Sequence, residues 1–73
     1  MITPEEEKIL EIISKRKLIR KSELLEALKR DVFIPFYVVN DLVKKGLITT
    51  VSPLGEDSFV ITDKGLEIIN QKD

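Results

Sequence analysis

The chain has 73 residues, of which 34% are charged, and its net charge at pH 7 is −1. A chain this short forms one small domain, and the absence of cysteine and histidine removes disulfides, thiolate metal sites and the commonest general base. We therefore expect a protein that is not an enzyme and needs no cofactor, metal or small-molecule ligand. No apolar run approaches the roughly 18 residues of a membrane span, so we expect a cytoplasmic protein with no membrane partner. The abundance of Lys, Arg and Glu is also typical of a thermophile.

The N-terminal segment carries several signals for the start of a helix. Thr3 can cap the helix, Pro4 suits its first position, and Glu6 completes a capping box. Apolar residues then recur at helical spacing: Ile9, Leu10, Ile12 and Ile13. The pattern predicts a helix over residues 4–15 whose apolar side is buried.

A short strand and a second helix are predicted next. Residues 18–20 contain two apolar residues, too few for a helix, and are expected to be extended. Ser22 can cap a helix over residues 22–30. The apolar residues of this helix lie on one side: Leu24, Leu25, Ala27 and Leu28. A turn is expected at residues 31–34, because Ile34 precedes a proline and is biased towards extended geometry.

A third helix is predicted over residues 35–45, opened by Pro35 and ended by Gly46. When successive residues are placed 100° apart, one arc of this helix is apolar. It contains Pro35, Phe36, Val38, Val39, Leu42 and Val43. The opposite arc contains Tyr37, Asn40, Asp41, Lys44 and Lys45. We expect the apolar arc to face the core and the other arc to face outwards.

The last third of the chain predicts a hairpin and a short helix. The segments LITTV and SFVI are rich in β-branched residues and are separated by SPLGED, which indicates a hairpin over residues 47–61. Thr62 can cap a helix over residues 63–70. On that helix we expect Leu66 and Ile69 to face the core and Ile68 to be exposed.

Positive charge is concentrated in one part of the chain. Residues 15–30 carry seven bases against two acids, whereas residues 1–14 and residues 31–73 each have a net charge of −3. Five of these bases fall within residues 15–21. The net charge of the whole chain is close to zero because acids elsewhere balance these bases. The chain nevertheless contains a basic segment, which we define as residues 15–22.

The order of these elements resembles the winged helix-turn-helix family of small bacterial and archaeal transcriptional regulators. DLVKKGLI resembles the end of the recognition helix and the start of the wing, FVITDKGLEII resembles the second wing strand and the closing helix, and KSELLEAL resembles the second helix. The resemblance covers nearly the whole chain and implies a single α+β domain over residues 1–73. That domain would have a three-helix helix-turn-helix core, a β-hairpin wing and a short C-terminal helix. Transcription regulation in an archaeal or viral setting is the role it implies.

The resemblance also implies a site and a partner, double-stranded DNA. In the family's usual docking the third helix enters the major groove. Its outward side chains would then contact bases: Tyr37, Asn40, Asp41 and Lys44. The basic segment would contact the DNA backbone through Lys15, Arg16, Lys17, Arg20, Lys21 and Ser22.

Two features depart from the usual pattern of the family. The hairpin tip contains Glu56 and Asp57 and no base, whereas wings that enter a minor groove usually offer Arg or Lys. The tip would then point away from the duplex or meet a protein. The chain also lacks the long extra helix with which many relatives dimerise, although an exposed Ile68 near Ile2 could form a homodimer contact.

The alternative function is a protein–protein interaction module that does not bind DNA. Winged helices serve in both roles, because a fold does not fix its ligand. In this alternative Tyr37, Val38 and the acidic hairpin tip would contact another chain.

Overall fold

The computed structural model describes residues 2–30, 34–53 and 55–70. Over these residues the chain is a small α+β fold with four helices and a three-stranded antiparallel sheet. In chain order the elements are α1 (Pro4–Arg16), β1 (Leu18–Arg20), α2 (Lys21–Arg30), α3 (Tyr37–Lys44), β2 (Ile48–Val51), β3 (Ser58–Ile61) and α4 (Asp63–Asn70). The predicted turn falls largely on residues 31–33 and the hairpin tip includes residue 54, and these positions lie outside the described residues.

The start of α1 confirms the predicted capping box. Thr3 Oγ1 accepts the backbone N–H of Glu6 at 3.1 Å, and Glu6 Oε1 accepts the backbone N–H of Thr3 at 2.9 Å. The helix ends at Lys17, whose φ of 65° is in the left-handed region and whose N–H donates to Ile13 O at 2.8 Å. The chain can therefore turn at once from α1 into β1.

The prediction that Ser22 caps the second helix is wrong. Because β1 runs directly into the helix, α2 begins at Lys21, one residue earlier. Glu23 accepts the backbone N–H of Arg20 at 3.1 Å with Oε1, so a carboxylate satisfies this donor at the helix start. The hydroxyl of Ser22 is left to make a contact outside the helix.

The third helix begins two residues later than predicted. Val38 N donates to Pro35 O at 3.1 Å and Val39 N to Phe36 O at 2.9 Å, both across three residues, so the chain makes a tighter turn before the helix proper begins at Tyr37. Gly46 follows the helix with a φ of 76°, a conformation that glycine adopts without a steric cost. The predicted stop at Gly46 is therefore confirmed.

The sheet has the strand order β1-β3-β2. Strands β2 and β3 form the predicted hairpin, with Thr49 opposite Val60. Strand β1 pairs with the other edge of β3, with Arg20 opposite Ser58. Because the pairing is antiparallel, residues just after β1 lie opposite residues just before β3, and this brings the start of α2 to the hairpin tip.

The core lies between the helices and the sheet. Its buried apolar residues come from every element except α4, and they are Ile9, Leu10, Ile13, Ile19, Leu24, Leu28, Ile34, Val38, Val39, Leu42, Leu47, Ile48 and Phe59. Val43, predicted to face the core, is 37% exposed. It lies at the edge of the apolar arc of α3, where periodicity does not decide between core and surface.

The prediction for α4 is wrong about which apolar side chain is inside. Leu66 is exposed, whereas Ile68 and Ile69 pack against the core. The buried Gly65 explains this orientation, because it lies against the carbonyl of Leu47 and shares a helix face with residues three and four positions later. Thr62 Oγ1 accepts the Gly65 N–H at 3.1 Å, which confirms the predicted cap. The exposed Ile68 expected to support a homodimer is therefore not present, and dimerisation stays a prediction.

An ion pair between a buried carboxylate and a half-exposed lysine connects the start of α1 to the end of α3. Lys45 Nζ lies 2.7 Å from Glu6 Oε2, and the Glu6 side chain is only 5% exposed. Burial alone would raise the pKa of Glu6, but hydrogen bonds from the Lys45 ammonium and the Thr3 N–H outweigh it and leave the pKa below its usual value. The pair fixes the position of α3, the helix on which the predicted base contacts lie.

Candidate nucleic-acid interface

The outer side of α3 carries three of the four predicted base-contacting residues. Tyr37 is 65% exposed, and Asn40 and Lys44 are also exposed. They recur at helical spacing because Val38, Val39 and Leu42 on the opposite side are buried in the core. The described part of α3 thus presents an aromatic hydroxyl, an amide and an ammonium group in one row.

The fourth predicted residue, Asp41, is placed differently. It is only half-buried and lines a shallow depression of about 170 Å³ together with Tyr37 and the N-terminal part of α1. Glu5 and Glu6 line the same depression. Asp41 therefore lies at the margin of the outer row, beside other acids.

Val43 is a residue of this surface that sequence reasoning missed. Its exposed side chain lies on the flank of α3 next to Asn40, since residues three apart on a helix are neighbours. An outward apolar group of this size can contact the methyl group of a thymine. Its exposure could not be predicted, because periodicity does not decide between core and surface at the edge of an apolar arc.

The basic segment is exposed at every charged position. Lys15, Arg16 and Lys17 lie at the end of α1, Arg20 ends β1, and Lys21 begins α2. β1 has only three residues, so the two helix ends that carry these bases remain close along the chain. Five cationic side chains are therefore exposed within residues 15–22, together with the hydroxyl of Ser22.

Two of these cations contact Glu23. Arg16 Nη2 lies 3.0 Å from Glu23 Oε2, and Arg20 Nε lies 3.6 Å from Glu23 Oε1. The backbone N–H of Arg20 lowers the pKa of Glu23 most, and the charges of Arg16 and Arg20 lower it further. Glu23 was not singled out from the sequence, although its place three residues after Arg20 is a local signal for such a contact.

The acidic hairpin tip lies against the start of α2. Ser22 Oγ donates to Glu56 Oε2 at 2.9 Å, and Arg20 Nη1 lies 4.0 Å from Glu56 Oε1. Between them, Lys21 N donates to Asp57 O at 2.9 Å. The tip therefore contacts the basic segment of its own chain. Whether it also points away from a duplex or meets a protein stays a prediction. The pairing of Arg20 with Ser58, carried two residues further, places Ser22 opposite Glu56.

A cation–π contact connects the basic segment to the start of α3. The Lys21 ammonium lies 5.3 Å from the centroid of the Phe36 ring, and Phe36 immediately precedes α3. The Phe36 ring in turn contacts Phe59, with 6.2 Å between the ring centroids. The C-terminal end of the basic segment therefore lies beside the start of α3.

Two features are absent from the part of the chain that the structure describes. Within residues 2–30, 34–53 and 55–70, no group of three or more acidic side chains is arranged to hold a metal ion. Among the same residues, the helices are too short and too polar to cross a membrane.

No protein-family model, no curated protein and no solved structure matches this chain.

Proposed function

We propose that this protein is a small winged helix-turn-helix regulator that binds duplex DNA. Helix α3 would enter the major groove, and the basic segment would contact the phosphates. The order of helices and strands supports the winged-helix assignment, as does the pairing of β1 with the hairpin strand β3. In this assignment α3 is the recognition helix and the β2–β3 hairpin is the wing.

The contact between Lys21 and Phe36 is the observation that carries the proposal. It brings the basic segment beside the first turn of the helix whose outer row is free to meet a partner. A helix with its side chains is about 10–12 Å across, and the major groove is about 12 Å wide. A duplex that takes α3 in its groove therefore has a phosphate strand close to Lys21.

The residues of the outer row, together with Val43 on its flank and Asp41 at its margin, each have a chemistry that suits contact with DNA. Asn40 can make two hydrogen bonds to adenine, and Val43 can contact a thymine methyl group. Lys44 can pair with a phosphate, and Tyr37 can donate to a phosphate or pack on a thymine. Asp41 can accept from a cytosine amino group, but only where the groove edge approaches the N-terminus of α1.

The basic segment supplies affinity without reading sequence. Bases that neutralise phosphates release counterions, so binding weakens steeply with salt. Arg16, Arg20 and Ser22 already contact carboxylates within the chain, although all five cations of the segment are exposed. Because some of these groups are already engaged, a monomer should bind weakly at physiological salt.

A matched pair of charge reversals tests the proposal. Lys21→Glu should weaken binding to a mixed-sequence duplex about tenfold at about 50 mM salt. The slope of the logarithm of the binding constant against the logarithm of the salt concentration should become less negative by about one, as expected for the loss of one phosphate contact. Lys8→Glu is the control, because it makes the same change of charge at an exposed position of α1 outside the basic segment. Fluorescence anisotropy measures both, and an equal loss in the two variants would reject the docking.

The same assay distinguishes contacts with bases from contacts with phosphates. Asn40→Ala should leave the affinity for mixed sequence within about twofold, since it removes no phosphate contact. On a selected binding site it should relax the preference at one base pair by about 1–3 kcal/mol. A uniform loss on all sequences would mean that Asn40 does not read a base.

The protein–protein alternative has one observation in its favour. Tyr37 and Val43 expose apolar surface on the same helix, and aromatic residues are enriched in protein interfaces. Val38, which was expected to belong to that surface, is buried and cannot contribute. Unchanged anisotropy of a labelled duplex with the wild-type protein at low salt would favour this alternative.

A further inference from the structure

The hairpin tip (residues 52–57) contains a carboxylate that contacts groups assigned above to DNA phosphates. We propose that Glu56 is a built-in competitor for phosphate. In the free protein its carboxylate occupies an anion-binding position formed by Arg20 and Ser22 at the start of α2, and a phosphate of the bound duplex displaces it. The proposal rests on the proposed DNA-binding function and adds a regulation of the same site.

Glu56 places both of its carboxylate oxygens against the start of α2. Ser22 Oγ lies 2.9 Å from one carboxylate oxygen, and Arg20 Nη1 lies 4.0 Å from the other. Two non-bridging oxygens of a phosphate diester can replace these two oxygens one for one. The position is also at the N-terminus of a ten-residue helix, where the helix dipole favours an anion.

The hairpin tip is held in the arrangement that the contact needs. Asp57 O accepts the Lys21 N–H at 2.9 Å, and Asp57 Oδ1 accepts from Ser52 Oγ at 3.0 Å. Ser58, which is buried, directs its hydroxyl to Glu56 O at 3.4 Å. Glu56 is therefore presented to α2 by the local structure of the hairpin.

The contact is weak enough to be displaced. The side chain of Glu56 is 43% exposed and that of Arg20 is 58% exposed, and ion pairs between such groups contribute little. Competition of this strength lowers the affinity for DNA about two- to fivefold. Arg20 also contacts Glu23, and Glu56 adds a second carboxylate to this arginine. The additional contact makes Arg20 less available to phosphates, so the salt dependence of binding becomes shallower.

The wing would consequently change its role when DNA binds. Without Glu56 in place, Arg20 and Ser22 can both contact one phosphate, while the freed carboxylate is repelled by the phosphate that replaced it. This accounts for a wing tip that carries acids in a protein that binds an anion. The acids limit binding to duplexes that supply enough other contacts.

Comparison of Glu56→Gln with Glu67→Gln tests the proposal on DNA. Each variant removes one negative charge, but Glu67 lies on the exposed side of α4. Glu56→Gln should bind a mixed-sequence duplex about three- to fivefold more tightly than Glu67→Gln at about 50 mM salt, with a steeper salt dependence. Equal affinities of the two variants would overturn the competitor role and leave the DNA-binding function standing.

A second measurement tests the same contact without DNA. Inorganic phosphate is titrated into the wild-type protein and into Glu56→Gln, and the amide signals of Arg20 and Ser22 are followed by NMR. They should shift at lower phosphate concentration in Glu56→Gln. Identical titrations would overturn the proposal by themselves. Displacement by phosphate in a protein that ignores duplex DNA would instead reject the proposed function and keep the anion-binding position.

Discussion

Replacing Gly65 with alanine should lower the free energy of unfolding by about 3 kcal/mol, at the upper end of what overpacking costs. A Cβ atom at this position would overlap with the carbonyl oxygen of Leu47 and would lie 2.8 Å from Ile61 Cγ1. The backbone oxygen cannot give way easily, because it also accepts from Thr62 N at 3.1 Å. Helix α4 would have to move away from the sheet. For a domain of this size the midpoint of thermal unfolding should fall by about 12–24 °C.

The control for this substitution is Glu67→Ala, at an exposed position of the same helix. It should change the stability by less than about 0.5 kcal/mol. The sign of the Gly65→Ala effect is also informative, because the same change in an open helical position stabilises a protein by about 0.4–1 kcal/mol. A stabilised Gly65→Ala protein would show that α4 does not approach Leu47 closely.

Replacing Glu6 with alanine should lower the free energy of unfolding by about 2–3 kcal/mol at neutral pH. The loss of the capping interaction contributes about 1 kcal/mol, and the loss of a charge-assisted hydrogen bond to Lys45 contributes about 1.5 kcal/mol. Because Lys45 is half-exposed, its ammonium group can be hydrated in the variant, and this limits the loss of stability. Glu5→Ala is the matched control, an exposed acid in the same turn of α1. Thermal unfolding of the two variants measures the difference, and equal losses would contradict the assigned role.

The same ion pair predicts how stability depends on pH. The pKa of Glu6 is lowered in the folded protein, so its charged form stabilises the fold at pH values above its usual pKa. That stabilisation is lost as the pH falls through the lowered pKa. Glu6→Gln removes the titrating group, so the stability difference between the wild type and Glu6→Gln should be present at pH 7 and should shrink below about pH 4.5. A difference that stays constant down to pH 3 would contradict this account.

Local signals in the sequence predicted the start of α1 and the stop after α3, but not the starts of α2 and α3. Thr3 and Glu6 determine the start of α1 through groups three residues apart, and Gly46 ends α3 through its own backbone freedom. Pro35 was a weaker guide, because a proline that suits the first helical position also suits the turn before it. Helix α3 therefore begins at Tyr37 although its end was placed correctly.

The orientation of α4 could not be read from its sequence. Leu66, Ile68 and Ile69 lie too close together in a short helix for periodicity to choose an inner face. The choice is made by Gly65, which is the residue that can approach the carbonyl of Leu47. That approach depends on how the hairpin and α4 pack, and no pattern within residues 63–70 encodes it.

The candidate site also has one part that the sequence predicts and one part that it does not. The outer row of α3 follows from helical spacing, and Tyr37, Asn40 and Lys44 are exposed as expected. The contact between Ser22 and Glu56 joins residues 34 positions apart and depends on the register of β1 against β3. A single sequence does not specify that register. The acidic residues of the tip could therefore be recognised, but their contact with the start of α2 could not be predicted.

The most direct measurement is an NMR titration of the labelled wild-type protein with a mixed-sequence duplex at about 50 mM salt. If α3 and the basic segment form one DNA-binding surface, the amide signals of residues 15–22 and 37–44 should shift together at the same DNA concentrations. Signals of α4 should change little. Shifts confined to α4, or a spectrum that stays unchanged at both segments while the protein remains folded, would contradict the proposed function.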